Sequence, residues 1–556
     1  MVKRYAIDIE TKDPHLKAHG PGVRRRDGHV VGVAIGWMHD DGSVGSEYLP
    51  LRHPDTQNVP RDVLRAKLAE VLRSGVPITG ANLLYDFDWL EAEFGLDFSV
   101  CPWHDVQVLE PLIDENAGSY SLGAISERWL GESKSEDAMY QWLAMQFGGK
   151  PDRSQAANIW RAPAWIVEEY ARSDVELPLR IVEKQLEVAP PIWEVETALQ
   201  PILLRMRQRG VRIDEARLDE LSERFAGLAS AALDRLGGIS VWSAKQVAET
   251  FDRAGVRYPH TERGAPSFTK EFLSGCPADV ARWVLEARQY DKLRGTFLEL
   301  RGDEYGTVTG RLSSSLPNLQ QVPARTEQGK LIRSLFVPEQ GEQWYKLDYS
   351  QIEPRLLLSY ARGREAEEAV AAYQADPTRD CYNTMMESMP SWITRDAVKA
   401  IFLGASYGMG KAKMAAQMGV PMEEAEHQFQ AFHDGAPYIR SLSQKCTAHM
   451  ERHGQIKTIG GRVRRIPERE LAYKALNSLI QGGAADIMKR ALVEGVSQGL
   501  PVPLLTVHDE LDFSSCDGDA MRRWAGVMCE VYSDLLKVRM HVDVEKGPSW
   551  GQVAGL

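Results

Sequence analysis

Five short stretches of this 556-residue chain carry carboxylates in settings where they can do chemistry. Asp348 follows the apolar, aromatic run Trp344-Tyr345-Lys346-Leu347 and precedes Tyr349-Ser350-Gln351-Ile352-Glu353. Tyr345 and Leu347 alternate with Lys346 as in a half-buried strand, and Ser350 with Glu353 three residues on reads as a capping box opening a helix. An acid is thereby held at a strand-to-helix turn. Asp509 ends a second apolar run, Leu504-Leu505-Thr506-Val507-His508-Asp509-Glu510. Near the N-terminus, Asp8 and Glu10 lie two residues apart in Tyr5-Ala6-Ile7-Asp8-Ile9-Glu10 and share one face of the predicted strand. Such neighbours repel, which is explained most simply if a divalent cation neutralises them. Asp86 in Asn82-Leu83-Leu84-Tyr85-Asp86 adds an acid, and Tyr170 with Asp174, four apart on a predicted helix, adds a phenol and a carboxylate on one face.

The elements that must position these groups are predicted to belong to several domains, because the chain is too long for one core. Hydrophobic residues make up 43% and charged residues 26%, ordinary globular values. No apolar run is long enough to span a bilayer, and Met1-Val2-Lys3-Arg4 leads into Tyr5 without a signal-peptide core, so a soluble, cytoplasmic protein is expected. Six scattered cysteines with no Cys-x-x-Cys pair argue against a zinc ribbon or disulfide framework. The net charge of −12 is unevenly spread: residues 1–190 hold 20 Lys and Arg against 30 Asp and Glu, and the remaining 366 residues carry only −2. Contact with nucleic acid would need local basic patches, such as Lys457 with Arg462, Arg464 and Arg465. Arg24-Arg25-Arg26, in the Gly/Pro-containing insert Lys12 to His29, is a second candidate. Ala189-Pro190-Pro191 marks a boundary, and Gly210 to Asp214 breaks the amphipathic helical stretch from Trp193 to about Leu236. Pro178 removes the backbone donor for Asp174 if the helix there continues.

Further along, Arg395, Lys399, Leu403 and Tyr407 recur every four residues as one helical stripe. Cations at its start and an aromatic before Gly408 suit a helix that grips a triphosphate at one end and a base pair at the other. Gly482-Gly483 is discounted as a phosphate loop because the lysine and hydroxyl spacing is absent.

Asp348-Tyr349-Ser350-Gln351-Ile352-Glu353 resembles motif A of the family A DNA polymerases, Arg395-x₃-Lys399-x₇-Tyr407-Gly408 resembles motif B, and Val507-His508-Asp509-Glu510 resembles motif C. Thr309 to Ser314 with Pro317 to Pro323 resembles the family's minor-groove segment, and Asn477 with Gln481 its template-primer helix. The Asp8/Glu10, Asp86 and Tyr170/Asp174 segments resemble the three exonuclease motifs of the DEDD group with tyrosine in the third. The likeness covers nearly the whole chain. It implies a ribonuclease H-like 3′–5′ exonuclease domain at 1–188, an α/β fold, followed by an α+β right-hand polymerase: linker and thumb at 189–305, palm at 306–361 and 451–556, fingers at 362–450.

By the same resemblance, Asp348 and Asp509 would hold two Mg²⁺ ions, with Mn²⁺ a possible substitute and the Tyr349 carbonyl a further ligand. Asp8, Glu10, Asp86 and Asp174 would hold two more, with Tyr170 orienting water. Arg395 and Lys399 would neutralise phosphates, Lys399 as proton donor to pyrophosphate. Glu353 would exclude a 2′-OH, Tyr407 and Leu403 would face the nucleotide, and Arg311, Asn477, Gln481, His508 and Glu510 would touch DNA. Two residues depart from the family pattern: Leu403 replaces an aromatic, and Tyr382 replaces a phosphate-contacting histidine. Primer-template DNA and dNTPs are the implied partners, with a helicase and single-strand-binding protein as replisome candidates and a monomer as the expected state. A single-subunit RNA polymerase is opposed by Glu353 and by the nuclease motifs. A nuclease whose second half only binds DNA is opposed by the retention of Asp348 and Asp509. No 5′ nuclease segment precedes Met1, which favours a phage-type replicative enzyme over a repair enzyme.

Overall fold

The computed structural model describes residues 1–132, 134, 136–261, 263–292, 310–312, 319–324, 326–406 and 411–556. Its first strand, β1 (Val2–Lys12), is the centre of a five-stranded sheet of order β3-β2-β1-β4-β5. β2 (His29–His39) and β3 (Val44–Pro50) extend it antiparallel on one side. β4 (Ile78–Gly80) and β5 (Trp103–Asp105) run parallel to β1 on the other. Alternation along β1 sends Ile7 and Ile9 into the core beneath α1 (Leu83–Phe94), where Phe87 stacks on Phe98 and meets Trp103. Ala6, Asp8 and Glu10 therefore share the opposite face. That face is covered by α3 (Ala164–Val188) through Val167, Ala171, Val175 and Leu179. Between these helices α2 (Leu122–Leu130) starts on the Ser121 hydroxyl and ends at a left-handed Gly131. The α3 helix continues through Pro178, so the Asp174 carbonyl receives no bond from that position.

Next comes α4 (Trp193–Arg209), which ends at Gly210 as the sequence suggested. It is shared by two cores, Leu204 packing with the N-terminal sheet and Leu199, Ile202 and Met206 with the C-terminal half. α5 (Glu215–Arg235), capped by Asp214, lies against α6 (Asp279–Lys292) and reaches the C-terminal sheet through Leu221 and Phe225.

The second sheet has β6 (Gln343–Tyr349) at its middle. α7 (Ile352–Tyr360), α8 (Cys381–Met386) and α9 (Arg395–Ser406) follow it. A hairpin of β7 (Gln455–Lys457) and β8 (Val463–Arg465) precedes α10 (Ala475–Ser497). β9 (Leu505–Val507) and β10 (Glu510–Ser515) then form another hairpin, and α11 (Gly518–Glu530), β11 (Val542–Ser549) and β12 (Gln552–Gly555) complete the chain. The order is β12-β11-β6-β10-β9, every neighbour antiparallel, so β10 and β11, both from far along the chain, enclose Asp348. Gly483 lets α10 approach α7, since a Cβ there would lie 2.6 Å from Leu356 Cδ2, and this close packing accounts for one of the paired glycines. No described helix is long and apolar enough to cross a membrane, and all six cysteines are free.

Four buried charges join the two halves. Glu196 of α4 accepts from Lys489 Nζ on both oxygens at 2.8 Å and from Arg462, whose Nε also reaches Asp486 Oδ1 at 2.8 Å. Glu196 faces two cations, which hold its carboxyl down at about 2 against burial; Asp486 shares only Arg462 and is pushed up by burial. Because the folded value for Glu196 lies below the ordinary 4.5, its contribution is complete above pH 4.5 and is lost as pH falls toward 2. Glu196→Gln leaves Lys489 and Arg462 short of a counter-charge and is expected to cost about 3–5 kcal/mol at pH 7. Thermal melting between pH 3 and 7 checks this: the variant should lose the part of the acid-side decline that wild type owes to Glu196.

Candidate active sites

The C-terminal acids meet where β6 runs into α7. Tyr349 N–H donates to the Asp509 carbonyl at 3.1 Å, and Glu510 and Asp543 stand directly opposite Asp348 on β10 and β11. Asp509 lies in the two-residue turn His508-Asp509 between β9 and β10. His508 takes φ 59°, a left-handed conformation usually left to glycine at this place in a hairpin. Burial first, and the Asp509 charge second, push the Asp348 carboxyl up to about 8, with Lys346 opposing. Burial likewise raises Asp509. Lys346 Nζ lies 3.6 Å from Asp348, 3.8 Å from Glu510 and 2.8 Å from Glu545. Glu510, expected at the primer end, is buried: it accepts from Trp550 Nε1 at 2.9 Å and lies 3.5 Å from Arg333, which steadies the strand pair. A narrow cleft lined by Arg311, Gln320, Met488, Thr506, His508 and Asp509 opens beside the pair.

Gln351 has φ 58° and caps α7 without a side-chain bond, which corrects the expected capping box: Ser350 does not cap, and Glu353 instead accepts from Arg311 at 2.7 Å. Pro354 then falls in the first turn, where no backbone donor is needed. The freed Gln351 amide donates to Asp380 Oδ2 at 2.6 Å, and Asp380 accepts from Arg395 Nη2 at 2.5 Å and Nε at 3.2 Å. Tyr382 is buried with its ring beneath both Arg395 and Lys399, at 5.3 and 5.8 Å, and edge-on to Phe402. Leu403 is partly buried against the core. Tyr407 lies outside the described residues. Asn477 and Gln481 are half-exposed positions on the otherwise buried start of α10.

The expected basic patch is largely spent within the protein. Arg462 is buried in the four-charge junction, beneath Gly310, whose positive φ and missing Cβ both fit that contact. Arg464 and Arg465 bind Glu115 at 3.1 and 2.9 Å, leaving Lys457 exposed. In the N-terminal insert, Arg24 pairs with Asp88 at 2.7 Å, and Arg25 bonds Asp27 and the carbonyls of His19, Gly20 and Pro21.

At the C-terminal ends of β1 and β4 the four remaining acids gather. Asp86 Oδ1 accepts from Ile9 N–H at 3.1 Å, fixing α1 to β1, while Asp105 accepts from Leu83 and Gln107 N–H and so holds the starts of two helices. Burial raises Asp8, Glu10 and Asp86 well above the ordinary carboxylate range; Asp174 adds to this at Asp8, Asp8 and Asp174 add to it at Glu10, and Asp8 adds to it at Asp86. Tyr170 lies one turn before Asp174 in α3, and burial first, with the charge of that acid second, keeps the phenol protonated. Lys134, which the sequence did not single out, donates to Asp174 Oδ2 at 2.6 Å and lies 4.0 Å over the Tyr170 ring.

Hard oxygen donors of this kind suit a divalent cation, and Asp174 Oδ1 is buried without a hydrogen-bond partner. Among the described residues no three acidic, His or Cys side chains form a ready-made cation cage. The Asp348/Asp509 pair nonetheless fits magnesium, which is commonly held by one or two carboxylates together with substrate phosphates.

The fold agrees with what comparison with known proteins shows. The model of DNA polymerase family A matches residues 214–552. The chain belongs to DNA polymerase family A, a family of DNA-directed DNA polymerases. It is 34% identical to the DNA-directed DNA polymerase of Pseudomonas phage M6, over 100% of this chain and 94% of that protein. It is 28% identical to DNA polymerase DpoZ of Salmonella phage PMBT28, over 80% and 83%, and 28% identical to DNA polymerase I of Rhizobium leguminosarum, over 92% of this chain and 55% of that enzyme. The polymerase domain of Pol1 from M. smegmatis, solved with DNA primer-template and dNTP, has a similar fold, with a TM-score of 0.77, 24% identity, and coverage of 99% and 96%.

Proposed function

We propose that this chain copies a DNA template from dNTPs at the Asp348/Asp509 site and removes mispaired 3′ ends at the Asp8/Glu10/Asp86/Asp174 site, in phage-type replication. The observation that carries the reading is the presence in one chain of two separate carboxylate clusters, one on each five-stranded sheet and each with raised proton affinity. Asp348 and Asp509 would hold Mg²⁺ or Mn²⁺ at this site. When bound, the ions supply the Lewis acidity that makes the 3′-OH a nucleophile and neutralises the leaving pyrophosphate. Lys399 and Arg395 bind the phosphates, Arg395 after exchanging Asp380 for them; Lys399 gives its proton to pyrophosphate. Glu353, kept in place by Arg311, crowds the sugar and excludes a 2′-OH. Arg311 accordingly reads the shape of the new pair from the minor groove only when it shares itself with Glu353. Asn477, Gln481 and His508 lie along the duplex, and Tyr407 and Leu403 along the nucleotide.

At the nuclease site Tyr170 orients the attacking water, and the four acids would hold divalent cations that supply Lewis acidity. The order of β3-β2-β1-β4-β5 and the acids at its strand ends support a ribonuclease H-like domain. The enzyme works as a monomer on primer-template DNA in the bacterial cytoplasm, with helicase and single-strand-binding protein as partners.

A labelled primer with a mismatched 3′ end on a longer DNA template tests both halves. With Mg²⁺ alone the primer should shorten; with dNTPs added it should be trimmed and then extended to full length. Shortening under both conditions, on matched primers too, would reduce the protein to a nuclease.

A further inference from the structure

The ammonium of Lys134 is the least expected group in the N-terminal cluster. It sits with Asp174 at 2.6 Å and over Tyr170 at 4.0 Å, and it is the cation that offsets the mutual repulsion of Asp8, Glu10 and Asp174. The Lys134 side chain is 15% exposed and that of Asp174 7%, so the pair is largely screened from water. One positive charge against four acids leaves the cluster undercompensated, and Asp174 Oδ1 has no partner although it is buried. Glu132, two residues before Lys134, is pinned to the same helix as Asp174: it accepts from both Nη atoms of Arg180 at 2.6 Å, and the Ser126 hydroxyl donates to its carbonyl at 2.7 Å. Beyond that pin the lysine reaches the acids by its own four-carbon stem, which can withdraw without moving α3.

These contacts place the ammonium between Asp174 and Tyr170, the two side chains through which the proposed water would be set up. We infer that Lys134 is a built-in counter-ion of the nuclease site: it holds the acids together while no divalent ion is bound and must be displaced before the site can be charged with metal. Lys134 thereby sets the divalent-ion concentration at which 3′-end removal begins. The inference rests on the nuclease reading of the cluster.

The test is Mn²⁺ titration calorimetry on the full chain, with Asp348→Ala in every protein to weaken the C-terminal site, comparing Lys134 with Lys134→Met. Removing a unit charge a few ångströms from the acids should tighten Mn²⁺ binding at least about tenfold. The metal-free melting temperature should fall in the variant, and Mn²⁺ should restore it. Lys134→Arg, which keeps the charge, should bind Mn²⁺ within a few-fold of wild type. Extension of a matched primer by Lys134→Met with Asp348 intact reports that the chain has folded; if it has not, Lys134→Gln takes its place. Unchanged Mn²⁺ affinity overturns the inference. So does unchanged affinity with slower degradation at saturating Mg²⁺, which would make Lys134 a substrate contact. Absence of any Asp8-dependent Mn²⁺ binding in wild type and variant alike defeats the nuclease reading itself.

Discussion

Asp348→Ala is expected to slow primer extension by about 10³-fold or more while degradation of a single-stranded 3′ end continues at the wild-type rate. The carboxylate sits where β6, β10 and the His508-Asp509 turn converge, and on the proposed reading Asp509 alone would not suffice to hold the metal ions. The substitution should leave the fold intact. Lys346 keeps Glu545 at 2.8 Å, and the site loses a half-exposed acid repelled by Asp509 rather than a packed side chain. Melting temperature and extension rate should therefore part company, the first holding or rising as the second collapses. Extension that survives in Asp348→Ala, with wild-type stability, would remove Asp348 from the proposed reaction.

Asp8→Ala should show the converse, with about 10³-fold slower removal of a mismatched 3′ end and unaltered extension of a matched primer. Asp8 is raised by burial and by Asp174, and in turn raises Glu10 and Asp86, so it stands at the electrostatic centre of the N-terminal acids. Its loss relieves repulsion that Lys134 only partly offsets. In EDTA the variant should accordingly melt higher than wild type, an expected gain in stability at the expense of activity. A paired measurement of EDTA melting and mismatch removal separates this from simple unfolding, in which both would fall together.

Local patterns announced much of this. Asp-x-Glu on β1, Tyr170 and Asp174 one turn apart, and the four-residue stripe from Arg395 are readable because strand and helix periods fix which side chains share a face. Contacts made across the chain were not. Asp543 and Glu545 reach Asp348 and Lys346 by pairing of strands some 195 residues apart, and nothing near Asp348 encodes that register. Arg462, Arg464 and Arg465 look like a cationic patch until Glu196 and Glu115, far away in sequence, claim them. At Ser350 and Glu353 the spacing matched a capping box, but the left-handed Gln351 and the pull of Arg311 overrode it. Lys134 carries no signal of its own: a lone lysine in a polar loop acquires meaning only from the acids opposite.

The β7–β8 hairpin, which grips Glu115 with two arginines while Arg462 beside it grips Glu196, acts as a rivet between the proposed editing and copying sites. With the two centres fastened to one frame, the travelling part is the nucleic acid. A primer end must melt from its template to reach the acids near β1, and a mismatched end melts at least cost. The choice between writing and erasing is then made by the duplex: weakly paired termini should be trimmed more often than G·C-rich ones, even when both are correct.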